Sequence, residues 1–343
     1  MRTGVSYFGN RTLRHVAADL EDIAATGFDY VVHCSTESDL LWRQETMREI
    51  YRISHELGLE VQVDPWGVAG VFGGEALSKF VTWETDICQV LADGSRMGVT
   101  CLYQPKLMDW LRQWVDATVD QGADVLFFDE PHWYPGDLWY IGKAVGPDTE
   151  RWSCRCDLCL ELFRERYGHE MPLVMDDEVR DFRQQAVYDV TADLIGYGHS
   201  KGVRNGLCLL PHGMSFDLVG VPDWAPFLQI PGLDFFGTDP YWRAGGDPVP
   251  MEPYVRPNAA AVREICETYD VPNQFWIQGY NFPAGKEHEA ADAIAIAVEE
   301  GMTDLAVWAY RACEPMSALW PADIEKTWEV VVGALRSAKG LAS

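Results

Sequence analysis

Short apolar runs alternate with amphipathic stretches from one end of the chain to the other. The runs at 4–8, 30–34, 60–64, 125–129, 206–210, 235–239, 275–278 and 305–308 are bounded by turn residues, as strands buried on both faces are. Between them, 12–25, 39–57, 106–121, 177–201, 253–269, 286–300 and 321–339 carry apolar residues three and four apart. That spacing predicts helices with one buried stripe. Gly27, Gly58, Gly122, Gly202 and Gly301 fall where such a helix should stop before the next strand. Eight strand–helix units predict an α/β protein, a single (β/α)8 TIM barrel. An open doubly wound sheet is the competing layout, but Gly9-Asn10-Arg11-Thr12 after the first strand lacks its G-x-G-x-x-G turn.

No Pro/Ser-rich linker interrupts the pattern, so residues 1–343 are expected to form one domain. Two long loops, 67–105 after the third strand and 135–175 after the fourth, should rise from the face where barrels carry their active sites. Lys and Arg number 27 against 53 Asp and Glu, a net charge of -26. Such a surface repels phosphate backbones and anionic lipid, so neither nucleic acid nor membrane is an expected partner. No run approaches the ~18 consecutive apolar residues of a membrane span. The N-terminus Met1-Arg2-Thr3-Gly4-Val5-Ser6 reads as a first strand rather than a signal peptide, which predicts a cytoplasmic protein. The aromatic loops leave room for a homo-oligomer.

Polar residues that end a barrel strand point toward the catalytic face. The second strand ends in His33-Cys34-Ser35-Thr36-Glu37 and the third in Asp64-Pro65-Trp66. The fourth ends in Asp129-Glu130-Pro131-His132-Trp133-Tyr134, the fifth in Pro211-His212 and the sixth in Asp239-Pro240-Tyr241-Trp242. The seventh ends in Gln278-Gly279-Tyr280-Asn281, and the eighth in Trp308-Ala309-Tyr310-Arg311, with Glu314 beyond. Asp64, Asp129, Glu130, Asp239 and Glu314 are thus expected at one mouth. Paired carboxyls are what glycoside hydrolysis needs, one to protonate the leaving oxygen and one to attack or to activate water. Flat rings suit the CH-rich faces of sugars, and Trp66, Trp133, Trp242, Trp276, Trp308, Tyr241 and Tyr280 follow several strands. The same rings also fill cores.

Glu130, walled by Phe128, Trp133 and other carboxyls, is expected to have a raised pKa and to act as general acid/base. Asp239 is the second carboxylate, and Asp129 orients the substrate or Glu130. Alternation forbids Asp129 and Glu130 from both facing inward in a regular strand; Pro131 predicts that the strand breaks there. Asp64, Trp66, His132, Trp133, His212, Tyr241, Trp242, Gln278, Tyr280, Trp308 and Arg311 are expected to bind a carbohydrate substrate. His33, Asp64, Glu130, His212 and Asp239 keep a second reading open, a metal-dependent sugar isomerase or epimerase. A third is a carbohydrate-binding barrel without catalysis.

Cys154-Arg155-Cys156-Asp157-Leu158-Cys159 is a C-x-C-x-x-C knuckle just before a short helix at 160–167. Three thiolates so spaced suit tetrahedral zinc, and Cys101 in the preceding loop is the expected fourth ligand of a structural zinc site. The other five of the nine cysteines read as small core residues.

Glu130, the knuckle and the following Phe163-Arg164-Glu165-Arg166-Tyr167 resemble the zinc-containing β-galactosidases of glycoside hydrolase family forty-two. The resemblance implies an acid/base at Glu130 and a zinc site closed by Cys101. That family has Asn where this chain has Asp129, and a nucleophilic Glu ending strand seven where this chain has Gln278. The Asp-Glu-Pro string resembles hexosaminidase-type barrels, which implies that Asp129 orients a 2-acetamido group. A strand-four and strand-six pairing resembles the α-galactosidase clan, which implies Asp129 or Glu130 acting with Asp239.

Overall fold

The computed structural model describes residues 1–135, 152–212, 219–244, 248–314 and 317–341. Part of the expected loop 135–175, residues 136–151, lies outside the described residues. The strands are β1 (Arg2–Tyr7), β2 (Tyr30–Cys34), β3 (Glu60–Asp64), β4 (Cys88–Val90), β5 (Arg96–Thr100), β6 (Val125–Asp129), β7 (Arg204–Cys208), β8 (Phe235–Thr238), β9 (Asn273–Gln278) and β10 (Asp304–Trp308). Eight of them close into a parallel barrel in the order β1-β10-β9-β8-β7-β6-β3-β2, while β4 and β5 form a separate antiparallel hairpin. The predicted barrel is therefore the observed fold.

Strand parity divides the core in two. Tyr30, Val32 and Cys34 of β2, Val125 and Phe127 of β6, and Trp276 of β9 fill the barrel interior. Val31, Leu126, Phe128 and Ile277 face outward, into the layer shared with the helices. Register then levels the polar ends on one rim: Cys34 pairs with Asp64, Asp129 with Cys208, and Trp308 with Gln278.

The helices are α1 (Leu13–Thr26), α2 (Glu37–Trp42), α3 (Gln44–Glu56), α4 (Phe80–Trp83), α5 (Pro105–Gln121), α6 (Asp157–Tyr167), α7 (Asp177–Ser200), α8 (Met251–Tyr269), α9 (His288–Glu299) and α10 (Ile324–Ala338). Gly27 and Gly122 end α1 and α5 in the left-handed region, at φ 93° and 106°, where a side chain would be strained. The helix expected over 39–57 is two helices. Thr36 starts α2 early through a capping box with Asp39, and the backbone breaks at Arg43. The strand expected at 206–210 starts two residues earlier, because its register with β6 runs from Arg204. Between β7 and β8 the described residues include a short 3-10 turn, Phe227–Gln229.

The loop after β3 is tied down by one side chain. Glu37, at the start of α2 and almost fully buried, accepts from the amides of Ala69, Lys79 and Phe80, from Ser78 Oγ at 2.9 Å and from Trp110 Nε1 at 3.1 Å. The residue expected at a strand end thus organises the loop that lines the barrel mouth. Among the described residues no helix is long and apolar enough to cross a membrane.

Candidate active site at the barrel mouth

β6 delivers Asp129 with inward parity, and the next residue should point away. Glu130 instead takes φ 47°, in the left-handed region, at a cost of about 1–2 kcal/mol for a residue with a Cβ. Its amide still donates to Cys208 O at 2.9 Å. The turn carries both carboxyls to the same place, and Gly73 marks it. A Cβ there would lie 2.6 Å from Glu130 Oε2 and 2.9 Å from Asp129 Oδ2. Gly73 is itself anchored by donating from its amide to Asp129 O. His132, buried, braces the turn: its ring Nδ1 pairs with Glu130 O and its amide donates to Val71 O. Burial pushes the His132 pKa down to about 4, so the ring is neutral at physiological pH.

Asp239, immediately after β8, brings its carboxyl within hydrogen-bond reach of Glu130. Cys208 Sγ donates to Asp239 Oδ1 at 3.8 Å. Burial is the largest influence on both acids. Burial, opposed in part by Glu130 and reinforced by the Asp129 charge, leaves Asp239 pushed up to about 8. Burial and then the Asp239 charge push Glu130 well above the usual carboxyl range. Both acids are raised, so the pair retains a proton at a pH where free carboxyls are ionised. Asp129 is raised by burial and by Glu130, and Asp64 by burial and by Asp129. Asp64 is fully buried beside the Cys34 thiol, and neither of its oxygens has a hydrogen-bond partner among the described residues.

Aromatic side chains wall the site. Phe8 stacks on Trp308 at 5.2 Å and lies 4.8 Å from Trp66. Tyr241 meets Tyr280 edge-on at 5.4 Å. Trp66 and Tyr241 keep part of their surface exposed. Trp66, Trp308, Tyr241 and Tyr280 belong to one packed cluster at the barrel mouth, where Asp64, Asp129, Glu130 and Asp239 also end or directly follow their strands.

Other expected site residues lie elsewhere. Trp133 is fully buried, donates from Nε1 to Arg183 O, and packs against Tyr103. It follows the left-handed turn and faces the helix layer rather than the mouth. Trp242 is buried with Nε1 on Glu289 Oε2 at 2.8 Å. Trp276 lies deeper in the barrel, bonded to Gln274 and packed on Phe127. Gln278 is fully buried, and its amide joins two loops: Oε1 accepts from the Arg243 amide and Nε2 donates to Tyr280 O. Arg311 pairs with Glu314 and Glu325, not with Glu130, so Glu314 is drawn to that pair and away from the carboxyl cluster.

The histidines do not complete a metal set with the mouth carboxyls. His33 has outward parity, so its Nε2 meets Ser54 Oγ and its ring packs on Tyr51 of α3. His212 is exposed and stacked on Trp224 at 4.0 Å. Among the described residues, the group whose ligand atoms close to within 4.8 Å is Cys101, Cys154, Cys156 and Cys159, all buried.

Cys101 Sγ lies 3.4 Å from Cys159 Sγ and 3.7 Å from Cys156 Sγ. Thiolates ~2.3 Å from a tetrahedral ion stand nearly this far apart. The amides of Val90 and Cys156 donate to Cys154 Sγ, as they would to a thiolate. This donor set fits a metal ion and joins the end of the β4–β5 hairpin to the start of α6.

Two features of the mouth were not expected. Glu75, in the loop after β3, reaches the rim, where Ser317 Oγ donates to it at 3.4 Å and its charge bears on Asp64 and Glu130. The Gly73-Gly74 pair before it is the one sequence signal. Cys34 and Cys208, read as core, touch the mouth carboxyls; inward parity on their strands would have identified them.

No family model matches the chain, and no curated protein matches it. Solved structures do resemble it. The catalytic domain of a β-amylase from Paenibacillus polymyxa aligns with a TM-score of 0.68 at 10% identity, over 97% of this chain and 98% of its own. An endo-1,4-β-mannanase from Rhizomucor miehei gives 0.63 at 12%, over 99% and 95%. A D-psicose 3-epimerase gives 0.51 at 11%, over 99% of each. At such identities the likeness is one of fold, and what this chain shares with all three is the barrel.

Proposed function

We propose that the chain is a glycoside hydrolase whose general acid/base is Glu130 and whose second carboxylate is Asp239. The observation that carries this reading is the meeting of two buried carboxyls at the barrel mouth, both with raised pKa values; we assign the proton to Glu130. A glycoside entering between them takes over that proton: Glu130 donates to the glycosidic oxygen as the bond to the anomeric carbon breaks. We take the retaining course, in which the second carboxyl is itself the nucleophile. Asp239 then attacks the anomeric carbon, and Glu130 deprotonates the water that releases the sugar. Asp129 orients the substrate, Asp64 sits behind it, and Trp66, Trp308, Tyr241 and Tyr280 hold the sugar rings. The β-amylase and mannanase likenesses are in keeping with a carbohydrate substrate.

The four cysteines are read as a structural zinc site. When bound, the ion supplies a crosslink and no open position for substrate. The chain's own part is to bring the hairpin and α6 together beside the mouth.

The test is turnover of Glu130→Gln on two glycosides with good and poor leaving groups. The variant should lose about 10²–10⁴-fold in kcat on the poor leaving group and far less on an activated aryl glycoside, which needs no proton. Equal, near-normal turnover on both would remove Glu130 from the mechanism.

A further inference from the structure

A cavity of about 230 Å³ lies beside the mouth, between the loops that follow β1 and β10. It shares Phe8, Ala309 and Cys313 with the aromatic lining of the barrel. Its far wall includes Asn10, Asp19 and Glu314. Asp19 takes the Tyr7 hydroxyl at 2.6 Å and the Asn10 amide at 3.4 Å, both on Oδ2; Oδ1 remains able to accept from a ligand hydroxyl.

The wall is held in an unusual conformation. Arg311, Ala312 and Cys313 are three successive residues at φ 46°, 55° and 65°. Side chains bearing a Cβ rarely occupy that region, and such strain collects where a chain shapes a binding site.

Glu314 also lines a second, open groove that ends at Trp320. Trp320 is 51% exposed, an unusual position for the largest apolar side chain in a described loop that is otherwise pinned. The loop is fixed by Asn281 N donating to Leu319 O at 2.7 Å and Ala322 N donating to Phe282 O at 2.8 Å. A rigid backbone thus presents a free indole at the end of a path that runs from the cavity beside Phe8 past Glu314.

We infer that this path is an extended sugar-binding groove: the cavity beside Phe8 takes a second sugar unit, and Trp320 stacks on one further out. The ligand is then an oligosaccharide chain and not a single sugar on a small aglycone. Rings with a flat apolar face and a ring of hydroxyls match an indole at one end and carboxylate and amide acceptors between. The inference rests on the glycosidase reading for the class of ligand.

The test uses the full chain carrying Glu130→Gln and titrates manno-, cello- and malto-oligosaccharides of one to six units by calorimetry. In one series the affinity should climb by about tenfold or more with length, equal to ~1.4 kcal/mol. Trp320→Ala should abolish that gain, and Trp320→Phe, which keeps a ring, should recover most of it. A gain that survives Trp320→Ala, no gain with length, or no binding by any series each overturns the groove. The catalytic reading is judged apart, on wild-type turnover of aryl glycosides. Turnover without a length-dependent gain sinks the groove and leaves catalysis; Trp320-dependent binding without any turnover does the reverse.

Discussion

Glu130 shows how one dihedral angle changes the chemistry available to a strand end. In extended backbone, Asp129 would face the mouth and Glu130 the helices; at φ 47° both reach Gly73. Gly73→Ala should therefore displace one carboxyl or the loop. We expect kcat/KM to fall by about tenfold or more, equal to ~1.4 kcal/mol, with the melting temperature little changed. Unaltered kinetics would mean that the carboxyls have slack there.

The same pair sets the pH dependence. The proposed mechanism needs Asp239 ionised and Glu130 protonated, and burial pushes Asp239 up to about 8 with Glu130 also raised. The profile of kcat/KM, which reports the free enzyme, should show an acid limb with its midpoint near pH 8 and fall again at still higher pH as Glu130 ionises. An acid limb near pH 4 would show Asp239 ionising as an ordinary carboxyl. The presence of Glu130 at the mouth was legible in the sequence, from a strand run followed by Asp-Glu-Pro. The sequence does not carry the angle that turns it inward, because that angle is held by contacts to Cys208 and to the Val71–Gly73 loop, from two other segments.

At the scale of elements, strand positions follow from apolar runs, since a buried parallel strand has to be apolar on both faces. Parity was the harder inference. Trp133, Trp242 and Trp276 follow or occupy strands as Trp66 and Trp308 do, yet the structure divides them between helix layer, loop anchor and barrel core. An aromatic ring satisfies any of these apolar settings, so residue type alone does not sort them. The cysteine knuckle was legible because metal ligation fixes spacing as well as type.

It joins the β4–β5 hairpin to α6, and its loss should be felt there. Purified chain should carry about one zinc ion per molecule by elemental analysis. Cys156→Ser should release it and lower stability by about 2–5 kcal/mol, the scale of losing a crosslink between long loops. Full stability with no bound metal in the wild-type chain would leave the four thiols as packing.

For the whole molecule, charge and burial together predict where stability is greatest. Asp64, Asp129, Glu130 and Asp239 all have folded pKa values above their unfolded ones. Between the unfolded value near 4 and the raised folded values, about 8 for Asp239, the folded state holds protons that the unfolded state has lost. Their contribution is thus complete below pH 4 and fades as pH rises through that window. Asp39, Glu60 and Glu289 are shifted the other way; Glu289, beside Arg243, lies at about 2. Their contribution is complete above the unfolded value and fades as pH falls. The two trends meet near pH 4–5, where the melting temperature should peak, and the net charge of -26 adds repulsion as pH rises. Asp239→Asn should flatten the alkaline decline by a few kcal/mol. A peak at neutral pH, unmoved by that substitution, would mean that the mouth carboxyls ionise freely in the folded chain.

The sequence by itself determined the barrel, the existence of each of its strands and the cysteine cluster, because each is written in local pattern: apolar period, turn residues, ligand spacing. Only the tertiary structure decided which polar ends share the hollow. Strand parity and register are cooperative properties of eight strands closing together, so His33 turned outward, Gln278 was taken up by two loops, and Glu75 arrived from a segment that no periodicity marks.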